Sequence, residues 1–244
     1  FRALEQDQTA YDILSELVEQ AADDDDRRLE AAVAVDLARL DVDYGHLDDA
    51  LVSARRALGR IPADEPADTG RAYRVLAQVH DARGEPAEAI AASEACLASF
   101  AQDDDHVLLA RARAQHADRL VLAGSAAAAL ELYEAARDCF AAEDMLLAVA
   151  TTELGRADAF AVLDRQEEAV AAAQRAAEVG EQQDVPGLVA DALWAVATHS
   201  APEAGRYEQA LTAHRAAGAA EEQLNELRAR RDEALGRRRS RRKR

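Results

Sequence analysis

Residues 45–58 read GHLDDALVSARRAL, and this stretch decides the fold because it recurs at a fixed period. Its counterparts are GEPAEAIAASEACL at 84–97 and GSAAAALELYEAAR at 124–137, each with a glycine five positions before an alanine. Alanines recur along the whole chain at spacings of 40, 39, 40, 40 and 41, at Ala10, Ala50, Ala89, Ala129, Ala169 and Ala210. A fixed period of this length indicates stacked structural repeats.

The composition favours an all-α chain. The 244 residues are 49% hydrophobic but only 4% aromatic, with 5 Pro and 11 Gly. Most of the hydrophobic residues are Ala and Leu, which are strong helix formers, and alternating runs of Val, Ile and Thr that would indicate strands are missing. Small residues at facing positions suit many closely packed helix layers better than one large core. No apolar run is long enough to span a bilayer and no signal peptide is evident, so we expect a cytoplasmic protein.

Apolar residues spaced three or four apart predict pairs of helices. In the first complete unit, the first helix covers about 29–44, Gly45 ends it, and the second helix covers about 47–60. The segment 10–18 fits the second helix of a preceding unit, and the acidic run 23–26 is then a loop. The later pairs are predicted to turn at Gly84, Gly124, Asp164 and Gly205.

This unit resembles the tetratricopeptide repeat, which has Leu-Ala in its first helix, Gly at the turn, three spaced small residues in its second helix, and Pro after it. The first complete unit contains the whole pattern, at Leu37, Ala38, Gly45, Ala50, Ala54, Ala57 and Pro62. Later units keep most of the small residues but depart elsewhere, with His116 and Arg156 replacing the Leu, Asp164 replacing the Gly and Ala101 replacing the Pro. The resemblance spans about residues 9–218. It implies an all-α, right-handed solenoid of about five antiparallel helix pairs of period near 40, plus a partial N-terminal unit.

The chain is expected to divide into a repeat domain at 1–218, a capping helix at 219–236 and a basic, disordered tail at 237–244. A solenoid needs a polar element to end it, and the narrow apolar face of residues 219–235 suits this role. The same helix could instead associate with a second copy, which would make the protein a homodimer.

Charge is unevenly distributed along the sequence. The net charge is −18, yet residues 228–244 contain ten Arg and Lys against two acids, which leaves 19 bases and 45 acids in the rest. Such a body repels nucleic acid and membranes and attracts basic segments. The tail alone could bind nucleic acid through Arg237, Arg238, Arg239, Arg241 and Arg242; the alternative is that it is solvated or rests on the acidic body.

Signatures of catalysis and metal binding are absent from the sequence. There is no phosphate-binding glycine loop, no G-x-S-x-G and no H-E-x-x-H. His80 and His116 lie on first-helix faces and are interpreted as hydrogen-bonded structural residues, and Cys96 and Cys139 as buried free thiols. We therefore expect no enzymatic activity, no cofactor and no metal.

The first helices of tetratricopeptide repeats line a concave groove that holds peptides or partner helices. The resemblance assigns to this groove Arg39, Arg71, Arg74, Gln78, Arg111, Gln115, Asp118 and Asp158. Arg71, Arg74 and Arg111 would form a basic patch able to hold a carboxylate through bidentate hydrogen bonds. Alternatively, these arginines pair with Asp36, Asp81 and Asp118 on neighbouring helices. A chaperone-tail clamp of the family is not expected, because Thr151 and Gly155 replace its remaining basic residues.

These features favour a non-enzymatic scaffold that binds a peptide or protein segment in the groove. The partner could be acidic in the groove or basic on the acidic body. Two alternatives remain open: a sensory or regulatory domain of a larger signalling or transcription protein, suggested by the start at Phe1 rather than Met, and a nucleic-acid accessory protein acting through the tail.

Overall fold

The structure, a computed structural model, describes the backbone of residues 2–200 and 203–241 and the side chains of residues 9–200 and 203–236. These residues form twelve α-helices and no strand. The helices are α1 Arg2–Asp23, α2 Arg27–Tyr44, α3 Leu47–Arg60, α4 Pro66–Arg83, α5 Pro86–Phe100, α6 His106–Leu122, α7 Ala126–Ala142, α8 Leu146–Val162, α9 Gln166–Gln182, α10 Pro186–His199, α11 Ala204–Ala216 and α12 Glu221–Arg241. The all-α fold predicted from the sequence is confirmed.

The helices form two compact units, Phe1–Arg119 and Leu120–Arg244. In the first unit, α1 packs on α2, α2 on α3, and α4 on both α2 and α5. In the second unit, each helix from α7 to α12 packs on the next, and α8 also contacts α10. Contacts between sequential helices and between every second helix are the pattern of stacked helix pairs.

Alanine stripes explain how closely the helices pack. In the first unit, Ala38, Ala50 and Ala54 are fully buried and join Val75 and Val79 in one cluster. In the second unit, alanines of α8 and α9 pack around Phe160 in the same way. Because the distance between helix axes depends on the side chains at the contact, few aromatic residues are needed to build the interior of each unit from thin layers.

The first helix of a pair ends at a residue with a left-handed backbone conformation, as Gly45 shows at the end of α2. Gly45 has φ 75°, its N–H donates to the Val42 carbonyl at 3.0 Å, and the His46 N–H donates to the Asp41 carbonyl at 2.8 Å. This is a Schellman cap, which needs a left-handed residue that glycine adopts without strain. The other predicted turns at Gly84, Gly124 and Asp164 also have positive φ, of 72°, 81° and 59°.

Aspartates occupy the left-handed position in three connections that lead from a second helix to the next first helix. Asp25, Asp144 and Asp184 have φ of 55°, 52° and 52°. Of these three connections, only the acidic loop containing Asp25 was predicted from the sequence. Asp and Asn are the non-glycine residues that tolerate this conformation best, so a single Asp after a helical stripe was a usable turn signal.

The turn predicted at Gly205 is wrong. Gly205 lies inside α11, which begins at Ala204, and it does not have a positive φ. The chain leaves α10 extended at Ser200 and enters α11 extended at Glu203. Since Gly205 is helical, it does not supply the left-handed residue that ends the first helix in the other pairs.

The helix α12 packs on the end of the second unit. Leu224 and Leu227 are buried against Leu211, with Trp194 and Ala219 beside them. The helix was expected to end at residue 236, before a disordered tail, but its backbone continues to Arg241. Neither glycine in a capping position nor proline follows to stop it. The side chains of 237–241 and all of 242–244 lie outside the described residues, so the tail's proposed contacts stay a prediction.

Candidate peptide-binding site

The candidate site is the arginine face of the first unit, which we define as Arg39 of α2, Arg71 and Arg74 of α4, and Arg111 of α6. Arg39, Arg71 and Arg111 are exposed, whereas Arg74 is partly buried between them. Helix α4 packs beside α2, and an ion pair between Arg119 and Asp81 joins α6 to α4 at 2.7 Å. The structure thus brings the four predicted arginines together on three first helices.

Arg74 lies at the centre of this face. Burial lowers the pKa of its guanidinium, and repulsion from Arg71, Arg111 and Arg39 lowers it further. A guanidinium remains protonated at any physiological pH. Arg74 is therefore a positive charge held partly away from water among three like charges.

Only two of the four arginines of this face are paired with acids. Arg39 pairs with Asp36 at 3.2 Å and Arg71 with Asp68 at 2.6 Å, each within its own helix. Within the described part of the chain, neither Arg74 nor Arg111 forms an ion pair or donates a hydrogen bond.

The expected pairing of these arginines with acids of neighbouring helices is not what the structure shows for Asp36 and Asp81. Asp36 pairs with Arg39 of its own helix, and Asp81 pairs with Arg119. Arg119 was not predicted because it lies outside the groove positions of the family. A signal for it was present, since Arg119 follows Asp118 directly and lies 38 residues after Asp81, which is close to the repeat length.

The remaining predicted groove residues do not all join this face. Gln78 and Gln115 are partly buried one turn beyond Arg74 and Arg111, and Asp118 is exposed on α6. Asp158 belongs to the second unit, where its carboxylate contacts His199 Nε2 at 3.0 Å. The arginine face is thus a feature of the first unit alone.

An apolar cavity of about 180 Å³ adjoins the arginine face. It lies between the first half of α2, the end of α3 and the start of α4, and Arg71 forms part of its wall. The lining residues are Ala31, Ala32, Val35, Asp36, Ile61, Asp68 and Arg71.

The contacts of His80, His116 and Cys96 are those of residues that support packing rather than ligand binding. His80 contacts Glu85 at 2.6 Å, and His116 contacts the Ser93 hydroxyl at 2.7 Å, as their interpretation as hydrogen-bonded residues predicted. Burial lowers the pKa of His116 and raises the pKa of the Cys96 thiol to about 11. Cys139 was expected to be buried but is only partly so, because it lies at the edge of its stripe near the end of α7.

Among the described residues we find neither a group of metal-ligating side chains nor a helix suited to spanning a bilayer. No three His, Cys, Asp or Glu side chains among them are grouped as metal ligands would be. None of the helices in the described ranges combines the length and apolarity that crossing a bilayer requires.

Comparison with known proteins identifies the fold. No protein-family model matches the sequence, and no curated protein matches it either. Among solved structures, BtubC (BKLC) from P. vanneervenii matches with a TM-score of 0.67 and 18% identity over 91% of both chains. The putative kinesin light chain with nearly identical TPR-like repeats from Podosopora anserina matches with a TM-score of 0.60 and 15% identity, over 86% of this chain and 96% of that one.

A third match is longer than this chain. Aspartyl phosphate phosphatase F from Bacillus subtilis aligns with a TM-score of 0.70 and 12% identity, over 89% of this chain and 62% of its own length. The chain therefore spans about three fifths of that protein. Together these matches show that the chain has the fold of tetratricopeptide-like repeat proteins, as the sequence pattern predicted.

Proposed function

We propose that the protein is a non-enzymatic interaction module that binds an acidic peptide or protein segment on the arginine face of its first unit. The observation that carries the proposal is Arg74, a partly buried guanidinium with no acid partner in the described residues and with Arg39, Arg71 and Arg111 around it. A ligand carboxylate would supply the missing partner.

The electrostatic free energy of the arginine face is lower with an anionic ligand bound than with the face empty. Bringing like charges together and removing one from water is unfavourable, and a carboxylate bound to a guanidinium forms short, charge-assisted hydrogen bonds in a bidentate geometry. The chain has a net charge of −18, so most of its surface repels an acidic partner. A local positive site therefore determines where such a partner binds. Specificity would come from placement of charge, and partners with basic segments would be directed to the acidic surface elsewhere.

The absence of catalysis is part of the proposal. The described residues do contain a serine–histidine contact, between Ser93 and His116, which is the kind of pair that nucleophilic catalysis uses. Both side chains are buried, and the Ser93 hydroxyl donates to the Ile90 carbonyl. A substrate cannot reach this hydroxyl without opening the interface between α5 and α6, so we assign the pair to packing.

The first experiment measures the affinity of the full chain for an array of acetylated and amidated decapeptides. Each peptide contains a Glu-Glu pair, or a Lys-Lys pair as control, in a Gly, Ser and Ala background. We expect the lysine peptides to contact only the acidic surface, whereas the glutamate peptides should show binding to the arginine face. Replacing Arg71, Arg74 and Arg111 together by Ala should weaken it at least tenfold, because each lost charge-assisted contact costs about 1.5–3 kcal/mol.

A matched control removes the same charge elsewhere. Arg27, Arg55 and Arg215 are exposed and lie outside the face, so their triple Ala variant has the same net charge but should retain wild-type affinity. Equal affinities of the wild type and the Arg71/Arg74/Arg111 variant, with folding verified by circular dichroism, would contradict the proposal.

A regulatory module within a larger protein is the second candidate. It is favoured by the alignment with aspartyl phosphate phosphatase F, a protein of which this chain spans 62% at a TM-score of 0.70. In that case the same arginine face would bind a segment of a signalling partner. Determining the gene sequence upstream of the codon for Phe1 would decide whether such a protein exists.

A further inference from the structure

The cavity beside the arginine face has walls of two kinds. Ala31, Ala32, Val35 and Ile61 make its surface mainly apolar, while its acidic lining residues are already paired, Asp36 with Arg39 and Asp68 with Arg71. Its volume of about 180 Å³ has room for one aliphatic side chain. A ligand carboxylate would meet the two aspartates there, so the cavity disfavours acids and accepts an uncharged apolar group.

The cavity and Arg74 follow one another along α4. Asp68, Arg71 and Arg74 are spaced by three residues, so Arg71 is a neighbour of both Asp68 and Arg74 on the surface of the helix. Arg71 therefore belongs to both the cavity wall and the arginine face. Three residues of helix span about 4.5 Å of axis, so the cavity wall and Arg74 are separated by about 4.5–9 Å along α4.

We propose that this cavity is a subsite for an aliphatic side chain of the same acidic segment, two residues away from the acid that binds Arg74. The inference rests on the proposed function and names a second determinant of the ligand, Leu-x-Glu or Glu-x-Leu. Four arginines with two acid partners supply the charge complementarity that draws the acidic residue to Arg74. The cavity then fixes the register of the segment.

The geometry of an extended peptide sets the spacing of two. An extended chain advances about 3.3 Å per residue, and its side chains alternate between two faces. Residues i and i+2 therefore point to the same side about 6.6 Å apart, which lies within the separation between the cavity and Arg74. Adjacent residues point to opposite sides, and residues four apart overshoot the cavity.

The test extends the peptide array with one leucine placed at each spacing from a single glutamate. We expect leucine two positions from the glutamate to raise affinity about tenfold over the leucine-free peptide, since it buries part of one aliphatic side chain. Ala32 is exposed and lines the cavity, so Ala32→Phe should fill it. That variant should lose the leucine preference while binding the leucine-free glutamate peptide as the wild type does.

The matched control is Ala91→Phe, which adds the same ring at an exposed alanine of α5 outside the cavity and should keep the preference. If glutamate peptides bind with the same affinity wherever leucine stands, or if Ala32→Phe keeps the preference, the subsite is overturned while the arginine face stands. If no glutamate peptide binds at all, the proposed function itself fails and the subsite with it.

Discussion

Single buried acids differ in whether an arginine reaches them. Glu30 is 1% exposed and is held by Arg56 Nε at 2.7 Å and Arg60 Nε at 2.9 Å. Burial raises its pKa, but the hydrogen bonds and charges of these arginines hold the pKa below its usual value. Glu153 is also buried and forms ion pairs with Arg156 at 2.6 Å and Arg175 at 2.7 Å. These pairs join α2 to α3 and α8 to α9, so they act within the repeat units rather than in ligand binding.

Asp41 has no such partner. Its carboxylate is buried at the end of α2, both oxygens lack a hydrogen bond, and the nearest titratable nitrogen is His46 Nδ1 at 3.8 Å. Burial raises the pKa of Asp41, and the charge of Asp49 raises it further, while His46 lowers it. Tyr11 of α1 lies against His46 with ring centroids 6.4 Å apart. This single acid therefore destabilises the packing of α1, α2 and α3 when it is ionised.

We expect Asp41→Asn to stabilise the protein at neutral pH by about 1 kcal/mol, because it removes a buried, unpaired charge. A raised folded pKa means that the stability difference is absent below the ordinary Asp pKa of about 3.9 and develops as pH rises through the folded pKa. Thermal unfolding from pH 4 to pH 8 measures this, with exposed Asp43→Asn as control. A difference that grows as pH falls would show that the sign is wrong.

At two contacts between neighbouring helices, the close approach of the helices depends on a glycine. A Cβ on Gly155 of α8 would lie 2.6 Å from the Tyr133 ring of α7, and one on Gly70 of α4 would lie 2.7 Å from the Phe100 ring of α5. Both rings are buried and fill the space left by the missing side chain. At each of these two contacts a large ring packs on a glycine of the facing helix, so the ring and the glycine must change together.

Gly155→Ala should destabilise the protein by about 1–3 kcal/mol because it overpacks the contact with Tyr133. The control is Gly59→Ala, at a helical position with nothing within 4 Å of the added Cβ, which should stabilise by about 0.5–1 kcal/mol. Urea denaturation measures both. Adding Tyr133→Leu to Gly155→Ala should recover part of the loss if the clash is the cause; simple additivity would place the cause elsewhere.

The whole molecule carries more acid than its bases can pair. With 47 Asp and Glu against 29 Lys and Arg, an excess of 18 acids remains even if every base is paired. Most of the ion pairs involve at least one exposed partner, and exposed pairs contribute at most about 1 kcal/mol each. Self-repulsion of the excess charge is therefore the larger effect of salt on folding.

Adding NaCl, from about 10 mM to 0.5 M, should raise the midpoint of thermal unfolding, because salt shortens the Debye length to a few ångströms and screens the repulsion. The triple Ala variants of Arg71, Arg74 and Arg111 and of Arg27, Arg55 and Arg215 both change the net charge from −18 to −21. Both should show a steeper dependence on salt than the wild type. A midpoint that falls with salt would mean that the ion pairs outweigh the repulsion.

The sequence by itself determined the local structure of the repeats. The period of the alanines, the three-four spacing of Leu and Ala and the glycines at 45, 84 and 124 set the helix pairs and most of their turns, because these depend on residues close in the chain. The groove positions of the family name Arg39, Arg71, Arg74 and Arg111 as ligand-binding residues, and this assignment stays a prediction. The failure at Gly205 shows the limit of the pattern, since a glycine in the right register can lie inside the second helix rather than at the turn.

Only the tertiary structure decided which charges are paired. Arg119 forms an ion pair with Asp81, and Glu30 forms ion pairs with Arg56 and Arg60. Arg74 has no acid partner among the described residues. All of these residues lie on helices that the sequence predicts. Asp41 is buried without a hydrogen bond for the same reason, with His46 Nδ1 3.8 Å away. Such pairings depend on distances between side chains of different helices, which follow from how closely the alanine stripes and the ring–glycine contacts bring those helices together. Helical periodicity fixes the direction of a side chain, but only packing fixes what it meets.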